Sequence, residues 1–340
     1  MEKQIEKTVI TIIGLGQIGT SIGLALQPYE ERISRVGHTK KFGEANHAKS
    51  IGAVDKAVLN LHDSVRNAAV VVLALPMHEL KSILQLIADD LKEGTVVLDT
   101  SPVPSVAGAW ASEHLPKNVF FMSFTPVLNP KNLLGPEHGI ESARADLFHN
   151  GMFAITAGPE ASSEALKVGS DLATMLQATP LFADAAEIDS YMASTHLLPQ
   201  LMAASLAKIN QTSPGWGENR RLAGRAYAQL TNLLLNIDRA RSLAVSVLND
   251  REHVLRVLDE LLADLGLLRE EISEADQEAL ADRFEEARQG REKWFQQRMA
   301  AQWFTDQDEL MDLAQASSPL GQMFGGITPR PKPKPKSKNP

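Results

Sequence analysis

The 340-residue sequence contains no cysteine, which excludes a disulfide framework and any chemistry that needs a thiolate. It has no uninterrupted apolar run of the roughly 18 residues that suggest a membrane span, and its first residues lack the apolar core of a signal peptide. We therefore expect a cytoplasmic protein. The formal net charge is −8 at pH 7, so we expect no general affinity for nucleic acid.

The first half of the chain alternates short apolar runs with helix-like stretches, and this alternation is typical of a doubly wound parallel sheet. The sequence predicts an α/β, Rossmann-type domain over residues 1–183, followed by an all-helical domain. Strands are predicted over residues 8–14, 32–38, 69–76, 94–100, 118–124, 152–158 and 179–183, and helices over residues 82–91, 104–115 and 164–178.

Beyond Ala183 the strand signal disappears, and helical periodicity predicts a substrate and dimerisation domain over residues 184–305. Leu255, Leu258, Leu262 and Leu265 form an apolar stripe, for which we favour a buried core face over contact with a second subunit. The last residues, 306–340, are rich in proline and lysine, a composition that predicts a mostly disordered tail.

The stretch "VITIIGLGQIGTSIGLAL" contains a GxGxxG motif between a predicted strand and an apolar helix. In this context Gly14 permits a tight turn, Gly16 lets the backbone approach a pyrophosphate, and Gly19 allows close helix packing. The amino end of the following helix supplies N–H donors and positive potential. The motif therefore predicts a dinucleotide site.

Further cofactor contacts are predicted where the neighbouring strands end. The full predicted set comprises Gly14, Gly16, Gln17, Ile18, Gly19, His38, Thr39, Lys40, Lys41, Leu75, Pro76 and Ser101. An NAD enzyme usually has an acidic residue about 20 residues after the glycines, where it binds the ribose. Thr39 stands there, followed by two lysines that could attract a 2′-phosphate, so we expect NADP to be preferred, with NAD as the alternative.

Several motifs in this order resemble the prephenate and arogenate dehydrogenase family of tyrosine biosynthesis. They are "GLGQIGTSIGLAL", "GAVDKAV", "VVLALP", "VVLDTS", "GIESARADLF" and "VSVLNDREHVLRVLDELLADLGLLREEI", between about residue 8 and residue 274. The resemblance implies a Rossmann domain joined to a helical domain that forms a homodimer, with a small carboxylic acid as substrate. It also implies oxidative decarboxylation, in which hydride leaves the carbon that carries the hydroxyl group and a base takes the hydroxyl proton.

The chain departs from the family pattern at the positions that carry chemistry. The family's active-site strand ends in histidine and proline, whereas this chain has "SFTP", with Thr125 in the histidine's place. An alkanol hydroxyl is too weakly basic near neutral pH to act as a general base without activation. Where relatives often have serine and lysine, this chain has Pro102 and Pro104, and Ser101 is the nearest hydroxyl.

The helical region departs as well. A serine-histidine-leucine-proline-histidine run in the family corresponds to "STHLLPQL", so Gln200 replaces the last histidine and His196 is retained one turn earlier. A family threonine-arginine pair, whose arginine holds a substrate carboxylate, matches Thr231 and Asn232, which removes a bidentate cation. We therefore predict substrate contacts from Gln200, Asn232, Arg221 and Arg225.

His196, Ser101 and Thr125 are the candidate catalytic residues. Imidazole titrates near neutral pH, so His196 is the best remaining candidate for the base, although the pattern itself favours a histidine held within a helical core over a catalytic one. His138, in the loop before "GIESAR", is a second candidate. No metal site is expected, because histidines and carboxylates do not cluster at ligand spacing.

Three functions remain open from the sequence. The first is an active NAD(P)-dependent dehydrogenase of this family, acting on prephenate, arogenate or a related cyclic or hydroxy acid. The second is a noncatalytic protein that senses the nicotinamide cofactor or binds a partner, which the missing histidine and arginine favour. The third is an NADPH-dependent reductase of an imine or enone, for which a weak donor such as Thr125 or Ser101 would be sufficient.

Overall fold

A computed structural model describes residues 7–134, 139–235 and 239–303. The chain divides into two compact units, residues 1–285 and 286–340. The first unit contains every strand of the described residues. His138 and the predicted tail lie outside the described residues, so the predictions made for them stay predictions.

The first unit is built on an eight-stranded sheet with the order β3-β2-β1-β4-β5-β6-β7-β8. All neighbouring strands are parallel except β6 and β7, which are antiparallel. The strands are β1 (Thr8–Ile13), β2 (Ile33–His38), β3 (Lys56–Ala57), β4 (Val70–Leu73), β5 (Val96–Asp99), β6 (Phe120–Val127), β7 (Met152–Ala157) and β8 (Thr179–Phe182). The predicted Rossmann-type fold is confirmed, with one antiparallel pair that the prediction of a parallel sheet did not include.

Helices connect the strands and cover both faces of the sheet. The helices among the described residues up to β8 are α1 (Gln17–Ala25), α2 (Phe42–Ser50), α3 (Leu61–Val65), α4 (Met77–Ile87), α5 (Pro104–His114) and α6 (Ser163–Met175). One core cluster packs α1, α2 and α6 against the sheet, and a second packs α3, α4 and α5 against the opposite face. Strands β4 and β5 are completely buried between the two clusters, as the apolar runs "VVVL" of β4 and "VVL" of β5 predict.

After β8, all regular elements of the described residues are helical. They are α7 (Ala185–Met192), α8 (Leu198–Thr212), α9 (Trp216–Asn219), α10 (Arg225–Thr231), α11 (Arg239–Asn249), α12 (Arg251–Glu274) and α13 (Gln277–Met299). A π-helical turn, Ala193–Leu197, joins α7 to α8. Helix α11 packs against α4, and the π-helical turn packs against α12.

The leucine stripe of α12 is not a core face of the single chain. Leu255, Leu262 and Leu265 expose 49%, 58% and 45% of their surface, and only Leu258 is half-buried. The favoured interpretation of a buried core face is therefore wrong within one chain, because no other described helix covers this side of α12. None of the described helices is long and apolar enough to cross a membrane. The cytoplasmic location stays a prediction.

Candidate functional site

The glycine loop lies between β1 and α1, at the edge where the parallel strands end. Gly14 has a φ of +95°, and its N–H donates to the carbonyl of His38 over 2.9 Å. A Cβ at Gly14 would lie 2.1 Å from the carbonyl oxygen of Ala74, and one at Gly19 would lie 2.0 Å from that of Gly14. Both positions therefore require glycine. A Cβ at Gly16 would meet nothing within 4 Å, so the amino end of α1 faces open space.

This open space fits a dinucleotide. A backbone without a side chain at Gly16 leaves room for a pyrophosphate beside the amino end of α1, where a helix favours negative charge. The first turn of α1 carries no acidic side chain that would repel the phosphates. The residues present at the loop therefore suit the group that the motif predicts.

Two polar side chains predicted to bind cofactor already have protein partners. His38 is buried at the end of β2, and its Nδ1 lies 2.9 Å from the carbonyl oxygen of Val58. The Gln17 amide donates to the carbonyl of Ser142 over 3.4 Å. His38 therefore contributes to the architecture of the strand end rather than presenting a side chain to solvent.

The apolar members of the predicted set surround the loop. Ile18 and Leu75 are half-buried and pack against opposite core clusters, while Pro76 immediately precedes α4. The side chain of Leu75 would lie 3.1 Å from a Cβ at Gly14. These residues are therefore close to the glycine loop, as predicted from the strand ends.

The predicted 2′-phosphate residues are paired with carboxylates. Lys40 Nζ lies 2.8 Å from Glu79 Oε2, and Lys41 Nζ lies 2.7 Å from Glu44 Oε1. The Thr39 hydroxyl also donates to Glu44, over 3.4 Å. Both lysines are exposed, so they can turn toward a ligand. The two glutamates, which the sequence reasoning missed, bring negative charge to the same region.

Asp99, at the end of β5, forms a buried hydrogen-bonded group with Ser101 and Thr125. The Ser101 N–H donates to Asp99 Oδ2 over 3.2 Å, and the Ser101 hydroxyl donates to the same oxygen. The Thr125 hydroxyl donates to the Ser101 carbonyl over 3.2 Å. Among the described residues, Asp99 Oδ1 has no hydrogen-bond partner. Burial raises the pKa of Asp99 to about 7.

These contacts give the two hydroxyls different chemical capacities. The Thr125 proton is used on a backbone carbonyl, and nothing in this contact activates the oxygen as a base. The Ser101 hydroxyl instead donates to a carboxylate, which could accept its proton. The sequence did not single out Asp99, although an acidic residue directly after the apolar run "VVL" is a recognisable signal.

A small cavity of about 10 Å³, the size of a single water molecule, connects the end of the sheet with the helices. Its walls include Pro102, which follows Ser101, together with His196 and Gln200 from the π-helical turn and α8. Ser242 and Ser246 of α11 complete its polar lining, and both are buried. The structure thus brings His196 and Gln200, which are far from Ser101 in sequence, close to Pro102, the residue that follows Ser101.

His196 and Gln200 differ in how far their side chains are exposed to solvent. The Gln200 side chain is buried, and its amide donates to the His196 carbonyl over 2.9 Å. The His196 side chain is exposed, on a turn whose wider winding differs from the flanking helices. Such π-helical turns occur frequently at functional sites. The arrangement gives His196 access to solvent and to a ligand.

The remaining predicted substrate residues are not brought to this cavity. Arg221, Arg225 and Asn232 are exposed, and none of them lines it. The Arg221 guanidinium lies 2.8 Å from Glu218 Oε2. Ser242 and Ser246, which do line the cavity, were missed. Their spacing of one helical turn in "RSLAVSVL" is the signal that could have found them.

Sequence comparison finds relatives that span most of the chain. A family model described as prephenate dehydrogenase, nucleotide-binding domain, matches residues 22–179. The cyclohexadienyl dehydrogenase of Zymomonas mobilis is 25% identical over 286 residues, which cover 83% of this chain and 94% of the relative. The prephenate dehydrogenase of Bacillus subtilis is 22% identical over 293 residues, covering 84% of this chain and 76% of the relative.

Structural comparison finds the same fold in solved structures. The prephenate dehydrogenase from A. aeolicus in complex with hydroxyphenyl propionate and NAD⁺ has a TM-score of 0.72 and 18% identity, over 86% of this chain and 99% of that one. The Synechocystis arogenate dehydrogenase has a TM-score of 0.65 and 19% identity, over 84% of this chain and 100% of that one. At these identities the likeness establishes the fold, and it agrees with the motifs in the sequence.

Proposed function

We propose that the chain is a nicotinamide-dependent dehydrogenase of the prephenate and arogenate dehydrogenase family, acting on prephenate, arogenate or a related cyclic hydroxy acid. The observation that carries this proposal is the open glycine loop at the same sheet edge as Ser101 and Pro102, because Pro102 lines the small cavity together with His196. A cofactor and a proton acceptor would thus approach the substrate from two sides.

The bound cofactor would supply the hydride acceptor. The exposed imidazole of His196 would take the proton of the substrate hydroxyl, and the buried amide of Gln200, held by the His196 carbonyl, would keep the turn in place. Loss of the proton and hydride would leave a cyclic dienone. The carboxylate on the opposite ring carbon would then depart as carbon dioxide, and its bonding electrons would make the ring aromatic and leave a phenolate that takes up a proton.

Turnover is the direct test of this proposal. We expect reduced cofactor to accumulate when the purified protein is mixed with NADP or NAD and either prephenate or arogenate. The control is the same mixture without substrate, which detects contaminating reductants. Cofactor binding without turnover of either acid would contradict the proposed substrates.

Cofactor binding without turnover has its own structural support. The Thr125 hydroxyl donates to a backbone carbonyl, and the arginines predicted to bind a substrate carboxylate, Arg221 and Arg225, are exposed and do not line the cavity. A noncatalytic protein that binds the nicotinamide cofactor is therefore the second candidate function. Tight cofactor binding that changes a partner interaction, without consumption of cofactor, would favour it.

We further propose that NADP is preferred over NAD. Lys40 and Lys41 are exposed at the expected ribose position, but Glu79 competes for Lys40 and would repel a 2′-phosphate. We expect the Lys40→Ala/Lys41→Ala double variant to bind NADPH about tenfold more weakly, with a smaller change for NADH. Glu79→Gln should strengthen NADPH binding. Fluorescence titration with both cofactors measures each Kd.

Lys81→Ala provides the matched control for this cofactor experiment, because Lys81 is another exposed lysine near the start of α4 but pairs with Glu113 instead. It should leave both dissociation constants unchanged. If the double variant weakens NADPH and NADH equally, the lysines do not read the 2′-phosphate, and the proposed preference is wrong.

We also propose a homodimer formed through the leucine stripe of α12. Leu255, Leu262 and Leu265 each leave about half of their surface exposed on one side of α12, and a contiguous apolar patch of this kind often marks a protein–protein interface. We expect light scattering to give about twice the chain mass of 37.1 kDa, and Leu262→Glu to give a monomer. Leu86→Glu, at a similarly exposed leucine of α4, should leave the dimer intact. A monomeric unsubstituted protein would refute the proposal.

A further inference from the structure

A second cluster of polar side chains lies outside the candidate active site. Asp189 belongs to α7, Asp250 immediately precedes α12, and His253 lies in the first turn of α12. One potential ligand atom from each of the three residues lies within 4.8 Å of the others. The sequence could not reveal this cluster, because the fold brings Asp189 from a different helix.

The two carboxylates are removed from water. Asp189 and Asp250 expose 2% and 6% of their surface, and burial raises the pKa of both carboxyls. The charge of Asp250 raises the pKa of Asp189 further. Buried carboxylates need a proton, a cationic side chain or a metal ion to compensate their charge.

The neighbouring cations do not provide two full partners. His253 Nδ1 lies 2.6 Å from Asp250 Oδ1, and the imidazole carries at most one positive charge. Arg256 lowers the pKa of Asp250 from a distance, but its guanidinium hydrogen-bonds to Glu260 and Ser190. His253 is therefore the one direct cationic contact that these observations give the two carboxylates, and it is made to Asp250.

An unpaired oxygen points to a missing ligand. Asp250 Oδ2 is buried without a hydrogen-bond partner among the described residues, although Oδ1 of the same carboxylate contacts His253. The Ser105 N–H donates to Asp189 Oδ1 over 3.3 Å and fixes the orientation of that carboxylate. Hydrogen bonds of this kind from outside a metal site commonly orient its ligands.

We propose that Asp189, Asp250 and His253 bind a divalent transition-metal ion, most suitably Zn²⁺. Two carboxylate oxygens and one imidazole nitrogen suit zinc, and three protein ligands leave a position for water. The ion would join α7 to α12, and both helices contact the π-helical turn that carries His196.

The first test uses the unsubstituted full-length protein after removal of metal with a chelator. We expect isothermal titration with ZnCl₂ to show one ion per chain and a rise in melting temperature. MgCl₂ should bind far more weakly, since imidazole is a poor ligand for magnesium. No saturable zinc binding by the unsubstituted protein would overturn the proposal, whatever the variants do.

The second test compares variants. Asp250→Asn and His253→Gln should each weaken zinc binding about a hundredfold or more. Asp90→Asn is the matched control, because Asp90 also contacts a histidine, His62, but at an exposed site. Equal zinc binding by the Asp90 and Asp250 variants would mean adventitious surface binding. If Asp250→Asn or His253→Gln lowers the melting temperature but zinc does not change the melting temperature of the unsubstituted protein, the three residues form an ion network and not a metal site. Either of these two results would overturn the proposal.

Discussion

Asp99→Asn is expected to stabilise the protein at pH 8, by up to about 4 kcal/mol in the free energy of unfolding. Asp99 is completely buried, and this burial raises its pKa to about 7 in the folded chain from 3.8 in an unperturbed one. Above pH 7 the fold must therefore hold an ionised carboxylate whose hydrogen bonds among the described residues come only from the uncharged Ser101. Asparagine keeps an acceptor for the Ser101 hydroxyl but carries no charge.

The direction of the pH dependence follows from proton binding. Between about pH 4 and pH 7 the folded state keeps the Asp99 proton and the unfolded state has lost it, so stability falls as the pH rises. We expect the advantage of the asparagine variant to grow by about 2–3 kcal/mol between pH 5 and pH 8. Urea unfolding at several pH values measures it. Parallel curves for the two proteins would refute the raised pKa.

Asp55→Asn serves as the control with the opposite sign. Burial alone would raise the pKa of Asp55, but hydrogen bonds and charge from Arg35 outweigh it and hold the pKa below its usual range. The stability that this contact provides is present above about pH 4 and is lost as the pH falls below that value. Asp55→Asn should therefore lower stability by about 1–3 kcal/mol, to the same extent at every pH from 5 to 8.

The sequence predicted the sheet and the cofactor loop because both depend on local patterns. Apolar runs located β1, β4 and β5, and the glycine spacing located the loop where Gly14 and Gly19 have no room for a side chain. The direction of β7 was not predictable in this way, since alternation identifies a strand but not its orientation. The short strand β3 also carries too few residues for a pattern.

The candidate active site was only partly predictable, because its residues come from separate parts of the chain. His196 and Gln200 were identified from motifs, but their approach to Pro102 depends on how the helices pack against the sheet. Ser242 and Ser246 enter the same cavity because α11 packs on α4, a contact that no local pattern indicates. Asn232 was predicted from a family motif, and Arg221 and Arg225 from their proximity to it in sequence, but all three lie on the surface.

His196→Ala is expected to reduce kcat/KM by about 10²–10⁴-fold with the substrate that is turned over, if its imidazole accepts the hydroxyl proton. The exposed position means that the substitution should leave folding and cofactor affinity unchanged. Steady-state kinetics and a cofactor titration on the same preparation separate these effects. His149→Ala, at another exposed histidine, should retain full activity.

Ser101→Ala distinguishes proton transfer to His196 from proton transfer through Ser101 to the buried carboxylate of Asp99. If the substrate proton passes to the Ser101 hydroxyl while Ser101 gives its own to Asp99, the serine variant loses activity and His196→Ala keeps it. A carboxylate with a pKa of about 7 must be ionised to accept the proton, so in that case kcat/KM of the unsubstituted enzyme falls as the pH drops below 7. The same charge that destabilises the fold at high pH would then be the one that drives the reaction.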